Sequence, residues 1–204
     1  MTRSGQLSSQ RLINYIIHAA PGSVNQGTPW GRPTRQGVIR SIQNSIILAE
    51  NTGKRDLAIP FVGGDIFLAS IGGTKEELAR NIIKAAINQR NNELTLQRIV
   101  FVPYSEADRQ IFQRVLDELT TRYPAERLVG IEIRRGDITY FGTHQCSTIV
   151  NAANMEVQFG EGLSGIIGDA TGERANINQV AKDLIREYNQ KVAAILGGNR
   201  IPVE

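Results

Sequence analysis

Apolar residues along this chain alternate between short continuous runs and longer runs with helical spacing. The short runs predict strands at Leu12–Ala19, Asp56–Val62, Arg98–Val102, Leu128–Arg134 and Thr148–Val150. The helical spacing predicts amphipathic helices at Val38–Asn51, Thr74–Arg90, the segment after Ser105, and Ile177–Leu196. Strands that alternate with helices predict an α/β protein, in which helices cover both faces of a layered sheet.

Local signals refine several of these elements. Thr74 and Glu77 form a capping box, and Ser105 is a helix cap. Met1–Gln10 is polar and is predicted to be a loose arm, and Pro21–Gly37 is predicted to be a long loop. The last helix is predicted to turn one apolar face inward: Ile177, Val180, Ala181, Leu184, Ile185, Tyr188, Val192 and Ile195.

Composition and charge narrow the class of protein. The 204 residues are 41% hydrophobic and 21% charged, which is typical of a folded domain and excludes a disordered chain. The formal net charge of +3 suits an anionic ligand, but the arginines form no dense run. Cys146 is the one cysteine, which excludes an intramolecular disulfide, and with only His18 and His144 besides we expect no metal site. No apolar run is long enough to span a membrane and Met1 does not open a charged-then-apolar leader, so we expect a cytoplasmic location and no membrane partner.

The richest chemistry lies in Gly136–Gly165. Asp137 follows a glycine, Asn151 and Asn154 follow an apolar strand, and a glycine-rich turn begins at Gly160. A strand that runs through a glycine loop into a helix offers backbone N–H groups to an anion. A carboxylate can accept hydrogen bonds from an exocyclic amine, and paired amides suit the cis hydroxyls of a ribose. Together these groups indicate a nucleotide-like ligand.

This stretch resembles the first half of a macro domain, the ADP-ribose-binding module. The matching segments are Gly136–Thr139, Ile149–Asn154 and Gly160–Gly165. The first half of the chain in turn resembles the second half of that family, at Tyr15–His18, Ser41–Ala49, Ile59-Pro60, Gly63–Phe67 and Phe101–Tyr104.

The order of the two halves is rotated relative to the family. Residues 128–204 resemble its usual N-terminal half, and residues 1–119 resemble its usual C-terminal half. The resemblance therefore implies one circularly permuted macro domain over residues 1–204, with a three-layer α/β/α mixed sheet. Thr120–Glu126 would link the old termini, and Glu204 would lie on the same side of the molecule as Met1.

The resemblance also implies site residues. The adenine end is matched by Asp137, Ile138 and Tyr104, where Tyr104 takes a position against the adenosine. The two diphosphate loops are matched by Gly160, Gly162, Leu163 and Ser164, and by Gly63, Gly64, Ile66 and Phe67. Asn154 matches the asparagine that contacts the far ribose, and Asn151 matches a structural member of the same turn.

Each of these residues also has an ordinary structural interpretation. Asp137 can bond its own turn, Tyr104 can be a half-buried core residue, and the glycines can serve tight turns. His18, alone in an apolar strand, is interpreted as a core or strand-end histidine.

Two departures bear on activity. Ser164 stands where one class of macro-domain hydrolases carries aspartate, and Asp65 stands where the family prefers glycine. A serine without a partner base does not readily activate water. Asn154 and Asp65 are thus the catalytic candidates for a mono-ADP-ribosyl-protein hydrolase that needs no cofactor. The alternative is a non-catalytic reader of ADP-ribose or ADP-ribosylated proteins. Nucleic-acid binding is a third interpretation, drawn from the basic pI alone, and we expect a monomer.

Overall fold

The computed structural model describes residues 1–22, 33–64, 68–89, 95–153, 159–160 and 162–196. Its strands are β1 Thr2–Arg3, β2 Tyr15–Ala19, β3 Asp56–Pro60, β4 Arg98–Val102, β5 Ile131–Ile133 and β6 Thr148–Ala152. Its helices are α1 Gln6–Arg11, α2 Arg35–Asn51, α3 Leu68–Ile71, α4 Lys75–Gln89, α5 Glu106–Thr120, α6 Ala125–Leu128, α7 Phe141–His144, α8 Gly162–Thr171 and α9 Arg174–Leu196.

The strands form one mixed sheet in the order β1-β2-β6-β3-β4-β5. The five strands from β2 to β5 in this order run parallel, and β1 pairs antiparallel with β2 at the edge. Tyr15 to Ala19 of β2 pair one for one with Thr148 to Ala152 of β6. The predicted α/β class is confirmed. Because parallel strands end at the same edge, the five carboxyl ends lie side by side.

Helices cover both faces of the sheet, because alternate residues of each strand face opposite cores. On one face, Ile59 and Phe101 pack in the cluster that contains the buried residues of α2, α4 and α5. On the other face, neighbouring Ala58 and Val100 pack in a cluster with residues of α1, α8 and α9. This arrangement is compatible with a three-layer α/β/α fold.

The predicted caps are present. The backbone N–H of Thr74 donates to Glu77 Oε2 (3.0 Å), and the N–H of Glu77 donates back to Thr74 Oγ1 (3.1 Å). Ser105 Oγ accepts from the N–H of Asp108 (3.0 Å) and so begins α5. Reciprocal bonds of this kind satisfy N–H groups that the helix itself leaves unpaired.

The prediction of a loose arm at Met1–Gln10 is wrong. The segment contains β1 and α1, Leu7 is fully buried, and the Ser4 hydroxyl bonds to the Ile13 carbonyl. One leucine among polar residues gives no periodicity, so the sequence pattern does not reveal that α1 packs against α8. The neighbouring strand is also shorter than predicted, because Leu12 takes a left-handed conformation (φ 59°) that ends α1.

The predicted inward face of α9 is only partly correct. Ile177, Ala181 and Ile185 are buried, but Val180, Leu184 and Tyr188 are 43%, 55% and 54% exposed. The buried positions of α9 recur every fourth residue and the helix packs against α8, so the flanking apolar positions remain in solvent. The side chains of Val192 and Ile195 lie outside the described residues, as do most of the predicted Pro21–Gly37 loop and Glu204. Within the described ranges, no helix is both long enough and apolar enough to cross a bilayer.

Candidate functional site

The predicted site residues follow the carboxyl ends of neighbouring parallel strands. Gly63 and Gly64 follow β3, Tyr104 follows β4, and Asp137 follows β5. The strand ends are tied together by backbone bonds. The Gly136 N–H donates to the Pro103 carbonyl (3.1 Å), which joins the ends of β4 and β5, and the Ala153 N–H donates to Ala19 O (2.9 Å), which joins those of β6 and β2. In open α/β sheets, ligands bind at this edge.

Asp137 occupies a tight turn after β5. Its Oδ1 accepts from both the backbone N–H and the hydroxyl of Thr139, each at 2.8 Å. The ordinary interpretation, in which Asp137 bonds its own turn, therefore describes a real contact. It does not use up the carboxylate, because an ionised carboxylate has about four lone-pair sites. Asp137 is exposed, so its carboxylate remains open to a ligand.

Ile138 is held from the protein interior. Its side chain is buried, and its carbonyl accepts from His144 Nε2 at 2.9 Å. Tyr104 lies on the neighbouring strand end and is 81% exposed, so it is not a core residue. An exposed aromatic ring can stack on a base, and an exposed carboxylate at the neighbouring strand end can accept a hydrogen bond from an amine of that base.

Asn151 lies fully buried near the end of β6, at the centre of a chain of polar side chains. Its Nδ2 donates to Ser164 Oγ (3.1 Å) and to His18 Nδ1 (3.3 Å). His18 Nε2 in turn lies 2.9 Å from the Thr2 hydroxyl, and the ring packs against Phe159. Among the described residues, Asn151 Oδ1 has no hydrogen-bond partner. The amide thus ties β1, β2 and β6 to the first turn of α8.

The sequence did not reveal this series of hydrogen-bonded side chains. Asn151 and His18 are far apart in the sequence and meet only when β2 pairs with β6. Burial lowers the pKa of His18 to about 4, so the ring is neutral at neutral pH. A neutral ring leaves Nδ1 free to accept from Asn151, and the proton on Nε2 is donated to Thr2.

The backbone that leads into α8 is held by α9. Arg174 Nη2 donates to the carbonyls of Phe159 (3.1 Å) and Gly160 (2.7 Å). Gly162 begins the helix with φ 60°, and a Cβ on Gly165 would come within 2.7 Å of the Gly160 carbonyl. A Cβ on Gly160 itself would meet open space, so packing does not require glycine there.

Leu163 is half-buried and Ser164 is buried in the same first turn. Within the part of the chain that the structure describes, the side chain bonded to Ser164 Oγ is the amide of Asn151 and not a base. The backbone N–H groups at the start of a helix of this length are suited to an anion.

The turn at Gly63-Gly64 needs its glycines for the fold. Gly63 has φ 83°, and a Cβ there would come within 2.8 Å of the Ile71 side chain. A Cβ on Gly64 would lie 2.5 to 2.8 Å from the ring of Phe61. Side chains thus pack closely against this backbone, which is compatible both with a tight turn and with the predicted second diphosphate loop.

Four predicted site residues lie outside the described residues: Asp65, Ile66, Phe67 and Asn154. They include both catalytic candidates. The described residues therefore include the positions predicted for adenine and for the first diphosphate loop, together with the buried amide that anchors β6.

A scan against protein-family models gave no match, and a search of curated proteins likewise gave none.

Proposed function

We propose that this edge of the sheet binds ADP-ribose, and that the chain is a circularly permuted macro domain. The observation that carries the proposal is that turns distant in sequence, at Gly63-Gly64, Tyr104 and Asp137, follow neighbouring parallel strands and so meet at one edge, which α8 also approaches through Asn151 and Ser164. One edge thus offers a carboxylate, an aromatic ring, two glycine turns and a helix N-terminus.

Each group has a complementary part in the ligand. The exposed carboxylate of Asp137 accepts a hydrogen bond from the exocyclic amine of adenine, and the ring of Tyr104 stacks on the base. The N–H groups at the start of α8, beside Gly160 and Gly162, receive the diphosphate, where the helix dipole favours negative charge. The Gly63-Gly64 turn lets the backbone approach the same diphosphate from the β3 side.

Calorimetric titration with ADP-ribose tests the binding. Asp137→Asn is the informative variant, because asparagine can keep an oxygen for Thr139 while it turns an N–H₂ group toward the adenine amine. A lost hydrogen bond to a charged group should weaken binding by about tenfold or more. Asp183→Asn on the exposed face of α9 is the matched control and should bind like the wild type. A wild-type protein without saturable binding would overturn the proposal.

Hydrolysis of ADP-ribosylated proteins is the second candidate function. The observation that favours it is the anchoring of β6, whose end is held by the Asn151 amide and by the Ala153–Ala19 backbone bond. Asn154 follows this fixed strand end directly, and a rigid support suits a residue that orients the far ribose for attack by water. Because Ser164 bonds an amide, water activation would depend on Asn154 and Asp65.

Release of label from a mono-ADP-ribosylated protein separates the two functions. Release by the wild type, lost in Asn154→Ala, would establish a hydrolase. Intact binding without release would establish a reader of ADP-ribose or of ADP-ribosylated proteins. Asp65→Ala with full activity would remove that carboxylate from the mechanism. Single-stranded RNA added as a competitor tests the nucleic-acid interpretation, and we expect it not to displace ADP-ribose.

A further inference from the structure

We infer that His144 is a positioning residue that gives the site its preference for adenine, by holding the Asp137–Ile138 turn from inside the protein. This inference rests on the proposed binding of ADP-ribose. His144 itself is 1% exposed, so its ring lies beneath the surface that a ligand would occupy. It acts through the backbone of the residue next to Asp137.

The two ring nitrogens of His144 have opposite and fixed roles. Nε2 lies 2.9 Å from the Ile138 carbonyl, which can only accept, so Nε2 carries the proton. Nδ1 accepts from the backbone N–H of Cys146 at 3.0 Å, so it must be unprotonated. Burial lowers the pKa of His144, which keeps the ring neutral at neutral pH. The ring is therefore a rigid bridge between two backbone segments.

The bridge adds a side-chain support to a turn whose backbone is also joined to the end of β4 by the Gly136–Pro103 bond. Asp137 Oδ1 bonds the N–H and hydroxyl of Thr139, which closes the turn on itself. The bond from His144 to Ile138 O then ties the turn to the buried end of α7. Because Asp137 is exposed, the direction of its carboxylate depends on the backbone beneath it.

His144 is in turn fixed to the central sheet. Arg98, the first residue of β4, donates to the carbonyls of His144 (3.2 Å) and Gln145 (3.4 Å). Its Nε also donates to Glu132 of β5 at 2.9 Å, and this hydrogen bond raises the pKa of Arg98. A line of contacts therefore runs from β4 through His144 to the turn that carries Asp137.

The test compares ADP-ribose with inosine diphosphate ribose, in which a carbonyl replaces the adenine amine. Asp137 can accept from the amine but repels the carbonyl, so the wild type should prefer ADP-ribose by about tenfold or more. His144→Asn can still accept from Cys146 but is too short to reach Ile138. We expect it to lose most of this preference, through weaker binding of ADP-ribose, while its affinity for the inosine ligand stays within about twofold.

His144→Gln is the matched variant, because its longer side chain can return a donor to the Ile138 carbonyl. We expect it to recover most of the preference. If His144 had a merely structural role, the Asn variant would bind both ligands more weakly by the same factor, and that result would overturn the inference. An Asn variant that keeps the wild-type preference for ADP-ribose would also overturn it. If the Asn variant does not fold, a folded Gln variant without this preference would do the same. A wild type that binds neither ligand would instead overturn the proposed function.

Discussion

Asn151 is a buried amide that joins four segments through its side chain and the side chains it contacts. Its Nδ2 contacts the first turn of α8 and the β2 histidine, and that histidine continues the chain to Thr2 of β1. A buried polar group of this kind is stable only while its partners stay in the right protonation state. His18 must be neutral for Nδ1 to accept from Asn151, so protonation of His18 in acid should break the hydrogen bond between these two side chains.

We expect stability to fall as the pH is lowered from about 6.5 to about 4, in part through His18. Its pKa is about 4 in the folded protein and about 6.5 when unfolded, so the unfolded state binds the proton first and is favoured by acid. The full effect is roughly 3 kcal/mol, since each pKa unit corresponds to about 1.4 kcal/mol.

Urea denaturation of the wild type and His18→Gln at pH 7 and pH 4.5 measures this effect. The variant should lose less stability between the two pH values than the wild type. Some dependence should remain, because the pKa of His144 is also lowered and acts in the same direction. Equal pH dependence in the two proteins would show that His18 does not titrate in this window.

At the scale of elements, α9 determines how α8 begins. Arg174 donates to the Phe159 and Gly160 carbonyls, and Asn178 Oδ1 accepts from the Phe159 N–H at 2.8 Å. These bonds come from the first turns of α9 and fix the backbone that leads into α8. The backbone at the proposed diphosphate site is therefore positioned in part by side chains of α9.

Arg174→Met should weaken ADP-ribose binding several-fold, because methionine keeps much of the apolar stem but cannot donate to the two carbonyls. Arg186→Met, on the exposed side of the same helix, removes only a surface pair with Asp183 and should bind like the wild type. Calorimetry on both variants checks this. Equal affinities in the two variants would show that α9 does not set the geometry of the α8 start.

Sequence patterns predicted the elements that are buried along a continuous run or opened by a local cap. Arg98–Val102 is the predicted strand residue for residue, and the Thr74–Glu77 box opens α4. The patterns missed α1, because the burial of Leu7 depends on α8, more than a hundred residues away. Among the predicted site residues they named Asp137 and Asn151 by residue type. They did not predict the contacts of His144 with the Asp137 turn or of His18 with Asn151, since these contacts exist only in the folded sheet.

At the scale of the whole molecule, the late strand β6 lies at the centre of the sheet. It pairs with β2 on one side and β3 on the other, although it is the last strand in the described part of the chain. The sheet therefore cannot be completed until residues from both halves of the chain have met, which is typical of folds with many long-range contacts. The pairing of the strands, and not the order in which the two halves are connected, therefore defines this sheet.

Re-permutation tests this property and the macro-domain interpretation together. The turn between α5 and α6 is local, because the Tyr123 N–H donates to Leu119 O and the Arg127 N–H donates to Pro124 O. A chain reopened between Tyr123 and Pro124, with Glu204 joined to Met1 by a flexible linker of about ten residues, should fold and bind ADP-ribose within a few-fold of the parent.

The matched control reopens the same linked chain between Ile82 and Ile83, which are fully buried in α4. This cut breaks a core helix, so the control should not fold. Circular dichroism and ADP-ribose titration compare the two chains. If neither chain folds, the α5–α6 turn is not a position at which the polypeptide can begin and end. The two halves of the chain would then owe their likeness to macro-domain halves to something other than a rotated order.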